Sequence, residues 1–122
     1  SMVAAAKQLE LFENGVLANC RAMGQYLGDG IRAMQAEYPQ IGDIRQIGMH
    51  IGIEFVNDPV EQKPLEKETA AIRTAGFRHG VIFGTGGVRK NVLKVKPPLI
   101  IRREECDEVL RKLETSIAEV LT

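Results

Sequence analysis

The sequence has no tryptophan, two cysteines and only 5% aromatic residues in 122, so any core must be built from aliphatic side chains. The cysteines, Cys20 and Cys106, lie on separate helical patterns without a neighbouring Cys or His at metal-ligand spacing. That spacing argues against zinc and against a disulfide framework, and predicts buried thiols. Charge of one sign is also lacking: 16 basic residues balance 16 acidic ones, which leaves no net field to draw nucleic acid or an anionic membrane. No apolar run approaches the ~20 residues of a membrane helix, and no charged-then-apolar leader precedes a cleavage site. The expectation is a cytoplasmic chain with neither nucleic acid nor membrane as partner. There is no Gly-x-Ser-x-Gly elbow and no His-x-x-x-His pair. His50 and His79 stand alone, and packing or a helix-dipole contact accounts for both.

What is present is one domain's worth of chain, 44% hydrophobic. Ser1-Met2 reads as an expression scar, which leaves residues 3–122 for the fold. From Ala4 to Glu37 the apolar residues Leu9, Phe12, Val16, Cys20, Met23, Leu27, Ile31 and Met34 recur every three or four positions, a helical stripe. Asn14-Gly15 predicts either two helices or one kinked helix, and Pro39 ends the pattern. Ile41 to Val56 predicts a long strand, or two joined at Gly48, with Ile44, Ile47, Met49, Ile51, Ile53 and Phe55 on one face. Asn57-Asp58-Pro59 is a turn. Leu65 to His79 predicts a helix closed by Gly80, and Glu104 to Leu121 is the clearest amphipathic helix. Asp43 and Arg45 are spaced for a local ion pair.

Between those last two helices lies the most informative stretch. The run Val81-Ile82-Phe83, the turn Gly84-Thr85-Gly86-Gly87 and the run Val92 to Ile101, stopped by Pro97-Pro98, read as strand, loop, strand and exit. The glycines lack the Lys-Ser/Thr ending of a P-loop and the dinucleotide spacing. Alternation along the second run puts Lys94 and Lys96 on one side of the pleat, facing water or an anion. The element order predicts an α+β fold: a small, mostly antiparallel sheet covered by helices on one side.

Two stretches carry a family resemblance. Ile41-Gly42-Asp43-Ile44-Arg45-Gln46-Ile47-Gly48-Met49-His50-Ile51-Gly52-Ile53-Glu54 resembles the "GDVRGxGLMxGIE" stretch of class III aminotransferases, enzymes that use pyridoxal phosphate on the fold-type-I scaffold. Asn91 to Ile101, followed by Glu104-Glu105 and Asp107-Glu108, is similar to their terminal "NVxRxxPPLxIxxEExDE" stretch. The resemblance covers essentially the whole chain and implies that residues 3–122 are the C-terminal small domain of a dimeric transaminase, with the large domain of the same enzyme and a second copy as partners. It further implies that the cofactor lysine and phosphate-binding loops lie upstream. No residue here is then assigned to catalysis, cofactor or metal, and the chain alone is expected to be inactive and free of cofactor.

Many family members carry an arginine three residues before the Pro-Pro step, where its planar fork grips an α-carboxylate. This sequence has Lys94 there, which makes Lys94 the substrate-binding candidate. A lysine attracts an anion as a point charge but cannot reproduce the two-bond clamp. The "NVLKxKPP" run is similar to alanine-glyoxylate-like members and to phospho-lyases that act on phosphorylated amines such as phosphoethanolamine. Three alternatives therefore stand beside transamination: a phospho-lyase fragment, a stand-alone non-enzymatic interaction domain, and a small ligand-binding protein built around the Gly84 to Asn91 loop. Arg102, where the family often has a Ser or Thr cap, is expected to weaken the start of the last helix.

Overall fold

The computed structural model describes residues 2–122, with side chains from Asn14 onward. Its order is α1 (Met2–Glu37), β1 (Ile41–Ile47), β2 (His50–Phe55), α2 (Glu66–Arg78), β3 (Gly84–Gly86), β4 (Val92–Val95) and α3 (Arg103–Leu121). The four strands form one antiparallel sheet in the order β1-β2-β4-β3. The α+β class expected from the sequence is the class observed.

Helix α1 runs through Asn14-Gly15 without a break, contrary to the two-helix expectation. Both residues are exposed, and a Cβ at Gly15 would touch nothing. The apolar stripe that follows explains the continuity: Leu27, Ile31 and Met34 are buried, with Cys20 and Met23 packed against the core. Packing of such a stripe outweighs the ~1 kcal/mol that glycine loses in helix propensity. Leu9 and Phe12, expected on the same stripe, lie outside the described side chains.

The segment 41–56 is the second of the two expected forms, a pair of strands joined at Gly48, here folded back as a hairpin. Gly48 takes a left-handed φ of 59°, which glycine adopts without strain, so Gly48-Met49 turns the chain in two residues. The register pairs Ile47 with His50 and Arg45 with Gly52. That geometry corrects the expected apolar face: Ile51, Ile53 and Phe55 are buried, whereas Ile47 is 86% exposed.

Strand β3 also departs from expectation. The apolar run Val81-Ile82-Phe83 stays outside the sheet, and the pairing strand is Gly84-Thr85-Gly86. The Val81 N–H donates to the Gly76 carbonyl at 2.8 Å, so this run is bound to the end of α2, past Gly80 with its φ of 90°. Only after Phe83 has been buried is the chain free to pair with β4.

The helices cover one face of the sheet. Leu27, Ile31, Ile72, Cys106, Leu113 and Ile117 from the three helices meet Ile51, Ile53, Phe55, Leu93 and Val95 in one core. Of the two cysteines expected to be buried, Cys106 is fully buried, its thiol pushed up by burial, whereas Cys20 is only half-buried. At the start of α3 the Glu105 carboxylate accepts from both the backbone N–H and Nε of Arg102, at 3.1 and 3.2 Å. That supplies the reciprocal half of a capping box, so the weakness expected at Arg102 is partly made good by Glu105.

Candidate functional site

The face of the sheet opposite the helices is uncovered within the described residues. Side-chain alternation places Asp43, Arg45 and Ile47 of β1 there, with His50, Gly52 and Glu54 of β2 and Val92 and Lys94 of β4. Arg45, Gly52, Lys94 and Gly84 form one row across the four strands. Asp43 and Glu54 are cross-strand partners in the next row. The face thus has an acidic end and a basic end.

At the basic end is a shallow depression of about 280 Å³ lined by Arg45, His50, Gly52, Lys94 and Lys96, with Ile47, Ile51 and Val92 as apolar wall. Among the described residues no carboxylate lines it. Lys94 and Lys96 form no ion pair among the described residues, whereas Arg45 Nε contacts Asp43 Oδ2 at 3.0 Å, the local pair expected from the sequence. A larger depression of about 520 Å³ lies elsewhere, lined by Ala70, Arg73, Thr74, Phe77, Ile82 and Phe83. It offers one cation and no acid or base, so chemistry favours the smaller site.

Lys94 is positioned by bare backbone. A Cβ at Gly86 would come within 2.5 Å of Lys94 Cε and 2.6 Å of its Nζ, and one at Gly84 within 3.5 Å of its Cβ. The lysine stem therefore lies along β3 over two glycines, and its ammonium sits above Gly86. The ammonium thus leans away from Arg45, and over Gly52, between the two strands, a Cβ would meet Val92 Cγ1 at 3.3 Å. Strand β4 is fixed at both ends. The buried Asn91 donates from Nδ2 to the Phe55 carbonyl at 2.9 Å, and beyond Pro97-Pro98 the side chain of Asn19 on α1 donates to the carbonyls of Leu99 and Ile101 at 2.8 and 3.0 Å.

The pairing of Lys94 with Lys96 on one side is thus the pairing the sequence implied, while Arg45, Gly84 and Gly86 were read as local or punctuating residues. His50 joins the depression; His79 does not, and lies 3.5 Å from Glu119 at the end of α2. Among the described residues no group of three or more His, Cys, Asp or Glu could hold a metal.

Comparison with known proteins accounts for this scaffold. The chain is 33% identical over 106 residues to isoleucine 2-epimerase of Lentilactobacillus buchneri, covering 87% of this chain and 23% of the relative. It is 33% identical over 118 residues to (R)-1-hydroxy-2-aminoethylphosphonate ammonia-lyase of Vibrio splendidus, covering 96% of this chain and 24% of that protein. A Bacillus anthracis aminotransferase superposes with a TM-score of 0.83 at 34% identity, over 95% of this chain and 27% of its own. The chain therefore spans about a quarter of the length of these relatives. Residues 1–117 match the model of the aminotransferase class-III family, and the chain belongs to that family.

Proposed function

We propose that the chain is the C-terminal small domain of a pyridoxal-phosphate enzyme that moves an amino group between an amine or amino acid and a keto acid, and that Lys94 meets the acidic end of the substrate. The observation that carries this reading is the family match over residues 1–117 combined with a lysine, unpaired among the described residues and three residues before Pro97-Pro98, that lines an open depression. Phe77, Ile82, Leu99 and Ile100 are 52–83% exposed; apolar surface of this kind supports packing against the large domain of the same enzyme. Homodimerisation and a cytoplasmic location belong to the same proposal.

The depression does not fit pyridoxal phosphate as a cofactor site. Among the described residues its lining has no carboxylate to pair with a pyridinium nitrogen and no Phe, Tyr or Trp ring to lie against the cofactor, so no chemical step is assigned to these residues. Their part is recognition.

The test has two arms. The 122-residue chain mixed with pyridoxal phosphate and borohydride acquires no stoichiometric label on a single lysine and no turnover, while the longer gene product shows cofactor absorbance and transaminase activity. In that longer protein Lys94→Met costs about 1.5–3 kcal/mol of anionic-substrate binding, read as a raised KM or lowered kcat/KM with cofactor absorbance intact. Specific labelling with turnover by the short chain, or unchanged kinetics in the variant, overturns the corresponding half.

A further inference from the structure

We infer that the wedge between residues 81–83, which lead into β3, and residues 96–98, which leave β4, is a binding site for a small monocarboxylic acid with an apolar tail. The tail enters the wedge and the carboxylate meets Lys96. This cavity is separate from the depression on the open sheet face, although Lys96 lines both.

The sequence itself holds the wedge open. Strands β3 and β4 pair from Gly86–Val92 to Gly84–Lys94, and the same register carried on would set Ile82 against Lys96 and Val81 against Pro97. That ladder cannot form. The Val81 N–H is already given to the Gly76 carbonyl at 2.8 Å, and Pro97 and Pro98 have no N–H to give. No backbone hydrogen bond among the described residues joins 81–83 to 96–98. The two runs therefore part, one bound to α2 and the other leading to α3, and leave a cavity of about 370 Å³ lined by both, by Ile101 and by Val109 of α3. That volume lies in the range of small-molecule sites, roughly 300–1,000 Å³. Phe83, Val95 and Ile101 in its wall are 2–4% exposed, so the wedge reaches core side chains. The larger depression, which shares Ile82 and Phe83 with it, is walled instead by the exposed Arg73, Thr74 and Phe77 of α2.

The lining selects the ligand. Among the described residues Lys96 is its one charged member, and no side chain in it can accept a hydrogen bond. An apolar tail meets aliphatic carbon and the Phe83 ring, and its removal from water drives entry. A cationic head group would be repelled, whereas a carboxylate finds a point charge on a flexible stem, at a mouth where its remaining oxygen lone pairs stay in water. Lys96 is free for this role, since it makes no ion pair among the described residues.

The experiment is an amide-resolved NMR titration of the 122-residue chain with acetate, butyrate and hexanoate, and with hexanol as the uncharged control, at constant pH and ionic strength. Hexanoate is expected to give saturable shifts at Val81, Ile82, Phe83, Lys96 and Val109, with affinity rising about fourfold for each methylene buried along the acid series. Lys96→Gln is expected to weaken hexanoate about two- to fivefold, the scale of an exposed ion pair, and to leave hexanol unchanged. Val109→Phe, which fills the wedge from α3, is expected to abolish binding of both; should that variant fail to fold, the acid series and Lys96→Gln decide the matter. Affinity independent of tail length, or shifts centred on Arg73, Thr74 and Phe77, overturns the wedge as the site. An equal response of hexanoate and hexanol to Lys96→Gln, or none from either, overturns the carboxylate contact and with it the proposed ligand class.

Discussion

The two faces of this sheet are made from the same four strands yet divide the labour completely. On the covered face Ile51, Ile53, Phe55, Leu93 and Val95 are 0–3% exposed. On the open face their immediate neighbours are Gly52, Val92, Lys94 and Lys96. Charge follows the same division. In the helical layer three acids of α3 find cations, Glu108 with Lys112, Glu119 with Arg78 and Glu105 with Arg102, and each of these carboxylates is held below its ordinary range by a hydrogen bond from that partner, whereas Glu114 is pushed up by burial and by Glu37 beside it. At the basic end of the open face the lysines have no such partner among the described residues. Exposed cations left unpaired in this way stabilise the fold little.

The widest gap between the faces should appear in stability. Phe55→Ala, on the covered face, is expected to cost about 3–5 kcal/mol in urea unfolding, from lost transfer energy and the cavity left behind. Lys94→Met, one strand away on the other face, is expected to stay within about 0.5 kcal/mol. A comparable loss at both positions would mean that the open face is structural.

A pair of glycines sharpens the same contrast. An added Cβ would meet the Phe83 ring at 2.5 Å from Gly76, and Lys94 Cε at 2.5 Å from Gly86. The distances match but the neighbours differ: a buried ring cannot give way, whereas the end of a lysine can. Gly76→Ala is expected to cost about 1–3 kcal/mol by overpacking. Gly86→Ala should leave stability within about 0.5 kcal/mol while displacing the ammonium, seen as changed side-chain NMR shifts of Lys94. Equal thermal shifts for both variants would remove the distinction between a packed glycine and a positioning one.

Between these extremes lies the anchoring of β4. Asn19→Ala removes two hydrogen bonds to the Leu99 and Ile101 carbonyls, at sites still reached by water, and is expected to cost about 1 kcal/mol. Faster amide exchange should follow at Ile101, whose N–H donates to Pro98, and at the end of β4. Exchange confined to α1 would show that the exit segment holds itself.

The two faces were not equally legible in the sequence. Period-two alternation in Val92 to Lys96 was enough to set Leu93 and Val95 against Lys94 and Lys96, because parity within one strand is local. Parity failed where the chain reversed: Ile44 and Ile47 are three apart and so point to opposite faces of β1, and the tight turn at Gly48 then puts Ile47 opposite His50 on the open side. The strand expected at Val81–Phe83 was lost to a competing local bond, from the Val81 N–H to the end of α2. The alignment of Arg45 and Lys94 in one row depends on the strand order β1-β2-β4, which brings together positions 49 residues apart and which no local pattern encodes. The role of Gly84 and Gly86 was hidden for the same reason, since what they make room for is a side chain on another strand.

The smallest expected effect concerns pH, and it belongs wholly to the helical side. Glu105 is held below its ordinary value mainly by the backbone N–H of Arg102 and then by that residue's guanidinium. A carboxylate depressed in the folded state contributes stability that is present above its unfolded value, about 4.3 for glutamate, and lost as pH falls through the lower folded value. Glu105→Gln keeps an acceptor for the backbone N–H but no longer titrates. Its stability should therefore fall slightly below that of the parent chain at neutral pH, and the two curves should converge as acid is added through and below the glutamate range. Because the group is exposed, the difference should shrink further in high salt. The amide shifts of β4 should be the same in both proteins at neutral pH, since Glu105 caps a helix on the other side of the sheet. A gap that persists unchanged into acid would show that Gln disturbs the cap itself, and changed shifts at Lys94 would show that the two faces are coupled through β4 and its exit segment.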